Sequence, residues 1–594
     1  MSGVLKREST YISSIVRTLW LMRHIGLNSP RTVTDIVSEV AAKWPNNIAL
    51  LYLDQVVTYK RLDESANAYA NWAHGVGIKK GEPVVLLMEN RPEFIMAWLG
   101  LLKLGAIVAL INTHLRGQPL AHSIGIANAR HAIVGSEMAV AYSEAAALLD
   151  NRPRAWITGS DYAGGENLDT ALAAASTAPP DPAWRAGLTQ KDVAFFIYTS
   201  GTTGLPKAAN FTHLRMLYMM MGFVGALNVK ETDRIYDVLP LYHSSGGVCA
   251  VGMALLSGGS LVIRKKFSAA EFWDDVHKYR PTIFQYIGEL CRYLLNAPSH
   301  PHECDHGIRA ITGNGLRPEI WPLFQQRFAI PKIVEFYGAT EGNVSMLNYD
   351  GTVGAVGRIP DYTRWYFTTR IIAFDVEKEE AIRGADGFCI ECKDSEVGEC
   401  IGKIVATKGK TYDGYTKAAD TGKKILRDVF EKGDAWFRTG DLMKRDALGY
   451  FYFVDRVGDT FRWKGENVAT GEVAEALGIV PGIRQANVYG VAVPGQDGRA
   501  GMAALVTGAN FDMAKMPDLL ARQLPSYARP MFLRLQPEMD ITGTFKLRKV
   551  DLVKEGFDPR TITDPLYWFD PAQHAYVPLS PDAYDGILAG QVKL

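Results

Sequence analysis

Between residues 59 and 111 the chain alternates amphipathic stretches with short, continuous apolar runs. Segment 59–75 repeats apolar positions at helical spacing, 83–88 is an apolar run of strand length, 92–105 returns to helix and 106–111 to strand. This alternation predicts parallel sheets covered by helices. From about 351 to 455 the texture changes to short β runs at 365–374, 387–392 and 449–454, split by glycines and charged pairs, which predicts a small β-barrel. Beyond residue 456 the pattern predicts a compact α+β region, with helices at 472–477 and 516–524 and strands at 486–493, 503–506 and 531–535. The tail 558–594 carries several Pro, Tyr and Asp residues and is expected to wrap on that region.

Two apolar stretches raise the question of a membrane span. Residues 95–111 are interrupted by Lys103 and 216–227 are too few, so both predict buried helices. Segment 11–25 is different. Ile12, Ile15, Val16, Leu19, Trp20 and Met22 recur at helical spacing, and Arg17, Arg23 and His24 add positive charge. Such a helix either lies on a membrane surface or docks its apolar face on the protein's own body. The polar first residues, with no cleavage site after an apolar run, predict no signal peptide.

A length of 594 residues implies two or more domains. With 64 basic and 64 acidic residues the net charge is zero, which leaves no global field to attract nucleic acid. The six cysteines are too sparse for a secreted disulfide framework, so a reducing cytosol is expected, with residues 11–25 offering peripheral contact at the inner face of a membrane. Cys389-x-x-Cys392 and Cys400, with Cys304, His302 and His306 as companions, hold parts of a zinc site. A second C-x-x-C is missing, and no metal is expected there.

The most informative stretch is Tyr198-Thr199-Ser200-Gly201-Thr202-Thr203-Gly204-Leu205-Pro206-Lys207, directly after the apolar run 193–197. Its glycines let backbone N–H groups approach an anion and its hydroxyls add donors. Lys207 adds a positive charge with no second partner evident in the sequence. The ligand to expect is ATP. A Walker A loop is excluded, because Leu205-Pro206 intervenes before the lysine and Ala208 follows it.

Four further segments follow in order: Pro240-Leu-Tyr-His243, Phe336-Tyr-Gly-Ala-Thr-Glu341, Thr439-Gly-Asp441 and the run 455–467 beginning Asp455-Arg-Val-Gly458. Together with the glycine-rich loop they resemble the adenylate-forming superfamily of acyl-CoA synthetases, peptide-synthetase adenylation domains and luciferases. The last segment and Thr542-Gly-Thr-Phe-Lys546 are similar to the fatty acid transport protein and very-long-chain acyl-CoA synthetase branch. The resemblance implies an N-terminal extension at 1–30, a large domain at 31–457 that includes the barrel subdomain at about 351–455, and a C-terminal lid at 458–594. Gly458 stands at the family's hinge position, where most relatives carry Asp or Lys.

The resemblance also implies roles. Glu341 ligates Mg²⁺ and Thr340 bonds the α-phosphate. Tyr337 stacks on adenine, with Gly313-Asn314-Gly315 as the opposite wall. Asp441 accepts from the ribose, assisted by Arg456. Lys546 bridges carboxylate and α-phosphate in the first half-reaction, and after the lid turns Gly465 faces the pantetheine of CoA. His243 orients the carboxylate or gates its entry. Met216, Leu217, Met219, Met220, Met221 and Phe223 either wall an alkyl channel or are plain core. The expected function is a long-chain fatty acid:CoA ligase using ATP, Mg²⁺ and CoA. Alternatives are a ligase for a bile-acid or carnitine-type carboxylate, or a fatty-acid uptake protein that does not activate its cargo. Oligomeric state is left open.

Overall fold

A computed structural model of the chain describes residues 3–160, 164–199, 205–376, 378–405, 411–464, 466–494, 496, 498–540 and 547–592. It is an α/β protein with two compact units. The first comprises residues 1–315, 324–352 and 403–425, the second 316–323, 353–402 and 426–594. The boundary expected at Gly458 lies inside the second unit.

The first unit holds two sheets. One runs in the order Glu166–Asn167, Arg154–Thr158, His131–Gly135, Pro83–Leu87, Ile107–Leu110, Val193–Thr199, Lys207–Thr212, parallel until its final antiparallel pair. The other runs Ser345–Leu347, Ile333–Gly338, Ala310–Asn314, Ile283–Ile287, Arg234–Asp237, Ser260–Ile263, Ile48–Tyr52, Gln55–Thr58, parallel inside and antiparallel at each edge. Strands such as His131–Gly135 and Ser260–Ile263 are buried throughout, because helices cover both faces of a parallel sheet. The predicted helix 92–105 is observed as Pro92–Leu104, buried along its length. Lys103 does not bring that helix to water. Its Nζ lies 2.6 Å from Asp63 Oδ1 and 2.6 Å from Asn67 Oδ1 on the helix Tyr59–Gly75, so the charge is buried with partners. Among the described residues no helix is long and apolar enough to cross a membrane.

In the second unit, the stretch read as a small barrel gives a sheet in the order Gly357–Arg358, Tyr450–Arg456, Ala435–Arg445, Gly398–Lys403, Thr369–Ile372, with Ile425–Arg427 pairing onto Ala435–Arg445. The α+β region forms a sheet in the order Ile483–Ala492, Arg499–Thr507, Phe532–Leu535, Leu566–Asp570, Ala575–Pro578. Its last two strands come from the tail, and Tyr576 Oη donates to Pro530 O at 2.7 Å. Cys389 and Cys400 are buried, and burial raises both thiols above their ordinary range, which disfavours the thiolate a metal needs.

At the N-terminus a helix spans Gly3–Leu21 and a tight turn Met22–His24 follows. It docks on the helix His213–Leu227, but not by its apolar face. Tyr11, Ser14 and Thr18, spaced to share one side, are the buried residues. A Cβ on Gly225 would stand 2.2 Å from Thr18 Oγ1, so glycine is what lets the helices approach. Arg17 Nε donates to Gly225 O at 2.6 Å, and Tyr11 meets Tyr349 edge to face at 5.6 Å. Leu5, Ile12, Val16, Leu19 and Trp20 remain exposed, Trp20 at 61% and Val16 at 60%. Leu5, Ile12, Val16 and Leu19 follow one another at spacings of seven, four and three, which places them on one face. Gly225→Leu is therefore expected to lift this helix from the body. Tryptic cleavage after Arg17 and Arg23 should accelerate about tenfold or more at unchanged global stability; an unchanged cleavage rate would refute the docking.

Candidate active site

Parallel strands of the eight-stranded sheet deliver several of the expected residues to one edge. Arg234–Asp237 leads into Pro240-Leu-Tyr-His243, Ala310–Asn314 ends in Asn314 and Gly315, and the adjacent Ile333–Gly338 leads into Thr340 and Glu341. All leave by their C-terminal ends, the side on which open α/β sheets bind ligands. Gly313 pairs with Tyr286, and a Cβ there would lie 2.2 Å from Tyr286 O, so close strand packing itself requires glycine. Tyr337 pairs with Met346 on the neighbouring antiparallel strand, one strand away from Gly313.

The strands Val193–Thr199 and Lys207–Thr212, on either side of the glycine-rich stretch in sequence, pair antiparallel. Thr199 pairs with Lys207 and Tyr198 with Ala208, so the register fixes Lys207 opposite the residue where the loop departs. Ser200, Gly201, Thr202, Thr203 and Gly204 lie outside the described residues. The Tyr198 side chain does not face the loop. It is buried and its hydroxyl donates to Ser123 O at 2.7 Å, anchoring the strand. Lys207 also corrects the sequence reading, since it has a partner: its Nζ is 2.8 Å from Asp420 Oδ1 and 5.9 Å from the centre of the Tyr415 ring. That pairing holds the Asp420 carboxyl below its usual range.

Glu341 is held by the same segment. Tyr415 Oη donates to Glu341 Oε1 at 2.9 Å, and burial first, then the Glu341 charge, push the phenol well up, so it stays a donor. Arg215, buried 3.7 Å from Asp413, donates to Glu341 O at 3.1 Å and fixes the backbone. Thr340 Oγ1 lies 3.2 Å from Ser244 Oγ, which joins the motif ending at Glu341 to the loop carrying His243. The His243 ring packs beside Tyr242, centroids 4.9 Å apart, at the entry to the wide helical turn Ser244–Ala250. A carboxylate with one oxygen engaged by Tyr415 can still offer the other to a hard cation, so this donor set fits Mg²⁺. Met216, Leu217, Met220 and Phe223 are buried, with Phe223 edge to face on Phe336 at 4.8 Å, and Met219 and Met221 are half-buried beside them.

In the second unit Asp441 pairs directly with Arg456 across two strands, Asp441 Oδ1 lying 3.3 Å from Arg456 Nε. The carboxylate is buried and the guanidinium half-exposed, an acceptor presented beside a cation. Gly458 sits in the next turn at φ 92°, where a Cβ would meet only Glu379 Oε1, at 3.9 Å, among the described residues. Any proline there is excluded by φ alone, so Gly458→Pro cannot separate a hinge from a turn. Lys549 Nζ bonds Asp459 Oδ2 at 3.0 Å and Thr470 Oγ1 at 2.7 Å. Arg548 N donates to Asp540 O at 3.0 Å. Lys546 and Gly465 lie outside the described residues. The sequence did not single out Ser244, Asp413, Tyr415 or Asp420. Their signal is contact over long sequence separations, which no local pattern carries.

The fold is shared with solved CoA ligases. Solved structures of that class match: an anthranilate CoA ligase in complex with anthranoyl-AMP (TM-score 0.75, 20% identity, 88% of this chain and 96% of that one). An O-succinylbenzoate coenzyme A synthetase of Bacillus subtilis with ATP and magnesium also matches (TM-score 0.69, 21% identity, 87% and 99%). The AMP-binding enzyme profile matches residues 37–387 and the AMP-binding enzyme C-terminal domain profile residues 472–546. Long-chain fatty acid transport protein 6 of Mus musculus is 42% identical over 569 residues, 95% of this chain and 91% of that protein. The chain belongs to the AMP-binding enzyme family, in the branch of the long-chain fatty acid transport proteins.

Asp237 ends the strand that precedes the His243 loop. It is fully buried, Oδ1 accepting from Leu239 N at 3.0 Å, and Oδ2 has no hydrogen-bond partner among the described residues. Burial raises its carboxyl to about 8. The folded protein therefore keeps a proton that the unfolded chain loses near the ordinary value of 3.8, and this group's contribution to stability falls as pH rises from there to about 8. Asp237→Asn removes that titration. Its urea midpoint should decline less than that of the wild type between about pH 5 and about pH 8; parallel declines would place the titration elsewhere.

Proposed function

We propose that this chain is an ATP-dependent, AMP-forming ligase that joins long-chain fatty acids to CoA. What carries the reading is the gathering of Thr340, Glu341 and the Ser244 hydroxyl at one strand edge, in a chain closely similar along its length to long-chain fatty acid transport proteins. In the first half-reaction a carboxylate oxygen attacks the α-phosphorus, the bond to the β-phosphate oxygen breaks and pyrophosphate leaves. Thr340 donates to the α-phosphate and Lys207, released from Asp420, meets the leaving phosphates. Mg²⁺, when held by Glu341, supplies charge neutralisation of the phosphate oxygens. Tyr415 and Arg215 keep Glu341 in place. Asp441 accepts from the ribose hydroxyls and Arg456 orients it. The CoA sulfur then attacks the acyl carbon, the C–O bond to AMP breaks and the thiol proton goes to solvent. Lys546 acts only in the first step, because only there does charge build on phosphorus.

Lys546→Ala is expected to lower acyl-AMP formation by at least about a hundredfold while thioester formation from supplied acyl-AMP falls less than about threefold. Equal losses in both would remove the assignment. Run on acids from short to very long, the same pyrophosphate-release assay tests the acyl class, and a preference for short acids would overturn the long-chain reading.

Peripheral membrane contact belongs to the same reading. The exposed face Leu5, Ile12, Val16, Leu19 and Trp20 is flanked by Lys6 and by Arg23, whose guanidinium lies 3.8 Å from the Trp20 ring centre. Apolar residues beside cations suit an anionic lipid surface. Ile12→Glu with Val16→Glu leaves the docked face intact, so sedimentation with anionic vesicles should fall about tenfold or more at unchanged activity on a soluble acid; undiminished sedimentation would discard this surface.

A further inference from the structure

The segment 300–306, His-Pro-His-Glu-Cys-Asp-His, has no part in the chemistry above. It lies in the connection between the helix Gly288–Asn296 and the strand Ala310–Asn314, against the helix Phe272–Tyr279. Two of its histidines are committed to local structure. His306 Nε2 bonds Phe328 O at 2.8 Å while its Nδ1 accepts from Ile308 N at 3.2 Å. His300 Nδ1 accepts from His302 N at 3.2 Å, and its Nε2 faces Asp274 at 3.4 Å.

His277, His302 and Asp305 converge differently. His277 Nδ1 is enclosed and makes no hydrogen bond among the described residues, yet it stands 3.4 Å from Asp305 Oδ2. His302 Nδ1 lies 3.9 Å from the same oxygen. The two imidazoles stack with centroids 3.8 Å apart and planes 18° from parallel, and the three ligand atoms all lie within 4.8 Å of one another. Ligands of a tetrahedral zinc with bonds of about 2.1 Å stand roughly 3.4 Å apart, so the three atoms must draw inward and the two rings must tilt out of their stack to aim their in-plane lone pairs at one ion. Two stacked imidazolium rings would repel, whereas a dication takes both rings neutral. Arg280 Nη1 donates to Asp305 Oδ1 at 3.2 Å and to Asp305 O at 3.0 Å, and its Nη2 reaches Oδ2 at 3.5 Å. It orients the carboxylate, at a cost in affinity from its own charge. Cys304 Sγ is engaged elsewhere, donating to Arg327 O at 3.3 Å.

We propose that His277, His302 and Asp305 form a binding site for a zinc-class divalent ion, with water in the fourth position. Imidazole and carboxylate together select such an ion over Mg²⁺, which prefers oxygen alone. The site precedes the N-terminal ends of Ile283–Ile287 and Ala310–Asn314, the end of the sheet opposite Gly313 and Glu341. Its role is therefore structural: the ion fastens the connection 297–309 to the helix Phe272–Tyr279.

The test is Zn²⁺ titration of the chelator-treated full chain by calorimetry, in excess Mg²⁺ to fill sites built of oxygen alone. Wild type and Cys304→Ser should each bind one equivalent. His302→Ala and His277→Asn should each bind at least about tenfold more weakly, with Mg²⁺-supported acyl-AMP formation unchanged as the check on folding. Zn²⁺ should raise the Tm of the wild type and not of either variant. Absence of saturable binding in the wild type, undiminished affinity in both histidine variants, or loss of binding in Cys304→Ser alone would each overturn the site.

Discussion

Parallel strand pairing is the constraint on which the rest of the first unit depends. Parallel neighbours end on the same side, so Asp237, Asn314 and Gly338 all release their chains at one edge, and residues separated by about a hundred positions meet there without any long-range motif. The contact of Ser244 with Thr340 is the product of that geometry. Close packing then restricts what can stand at the edge. Gly313 has no room for a side chain beside Tyr286, so a backbone wall is available there whether or not a nucleotide is present.

Much of this was legible in the sequence because the patterns are local. The continuous apolar run ahead of the glycines and hydroxyls identifies the strand Val193–Thr199, though not its antiparallel partner Lys207–Thr212. The missing parts are partners. Lys207 looked unpaired because Asp420 is 213 residues away, and Tyr415 lies 74 residues from the carboxylate it holds. Periodicity found the N-terminal helix but not the side that docks. A hydrophobic stripe normally turns inward, yet here Tyr11, Ser14 and Thr18 fit against Gly225 and the stripe stays out. The cysteine pattern, set aside above for want of a second C-x-x-C, is a different case. Its spacing suggested ligands, while burial keeps Cys389 and Cys400 as thiols and the convergent nitrogens are on histidines.

In each unit the cations named above are paired with carboxylates. Lys207 holds Asp420, Arg456 holds Asp441 and Arg215 holds Asp413. Half-buried charges left alone would pay desolvation without return, and partnering them keeps the resting protein stable. Under the function proposed above, a polyphosphate would have to compete with Asp420 for Lys207, which weakens the attraction for stray monoanions more than for a ligand with several charges.

The helix His213–Leu227 touches two distant places. Arg215 near its start binds the backbone of Glu341, and Gly225 near its end receives Arg17 of the N-terminal helix. Ten residues of α-helix separate them, a rigid rod of about 15 Å. A rod held at both ends makes the two contacts thermodynamically reciprocal. Any factor by which loss of the Arg17 contact changes the Arg215 contact is returned unchanged in the other direction. The Glu341 backbone and the N-terminal helix therefore share one support.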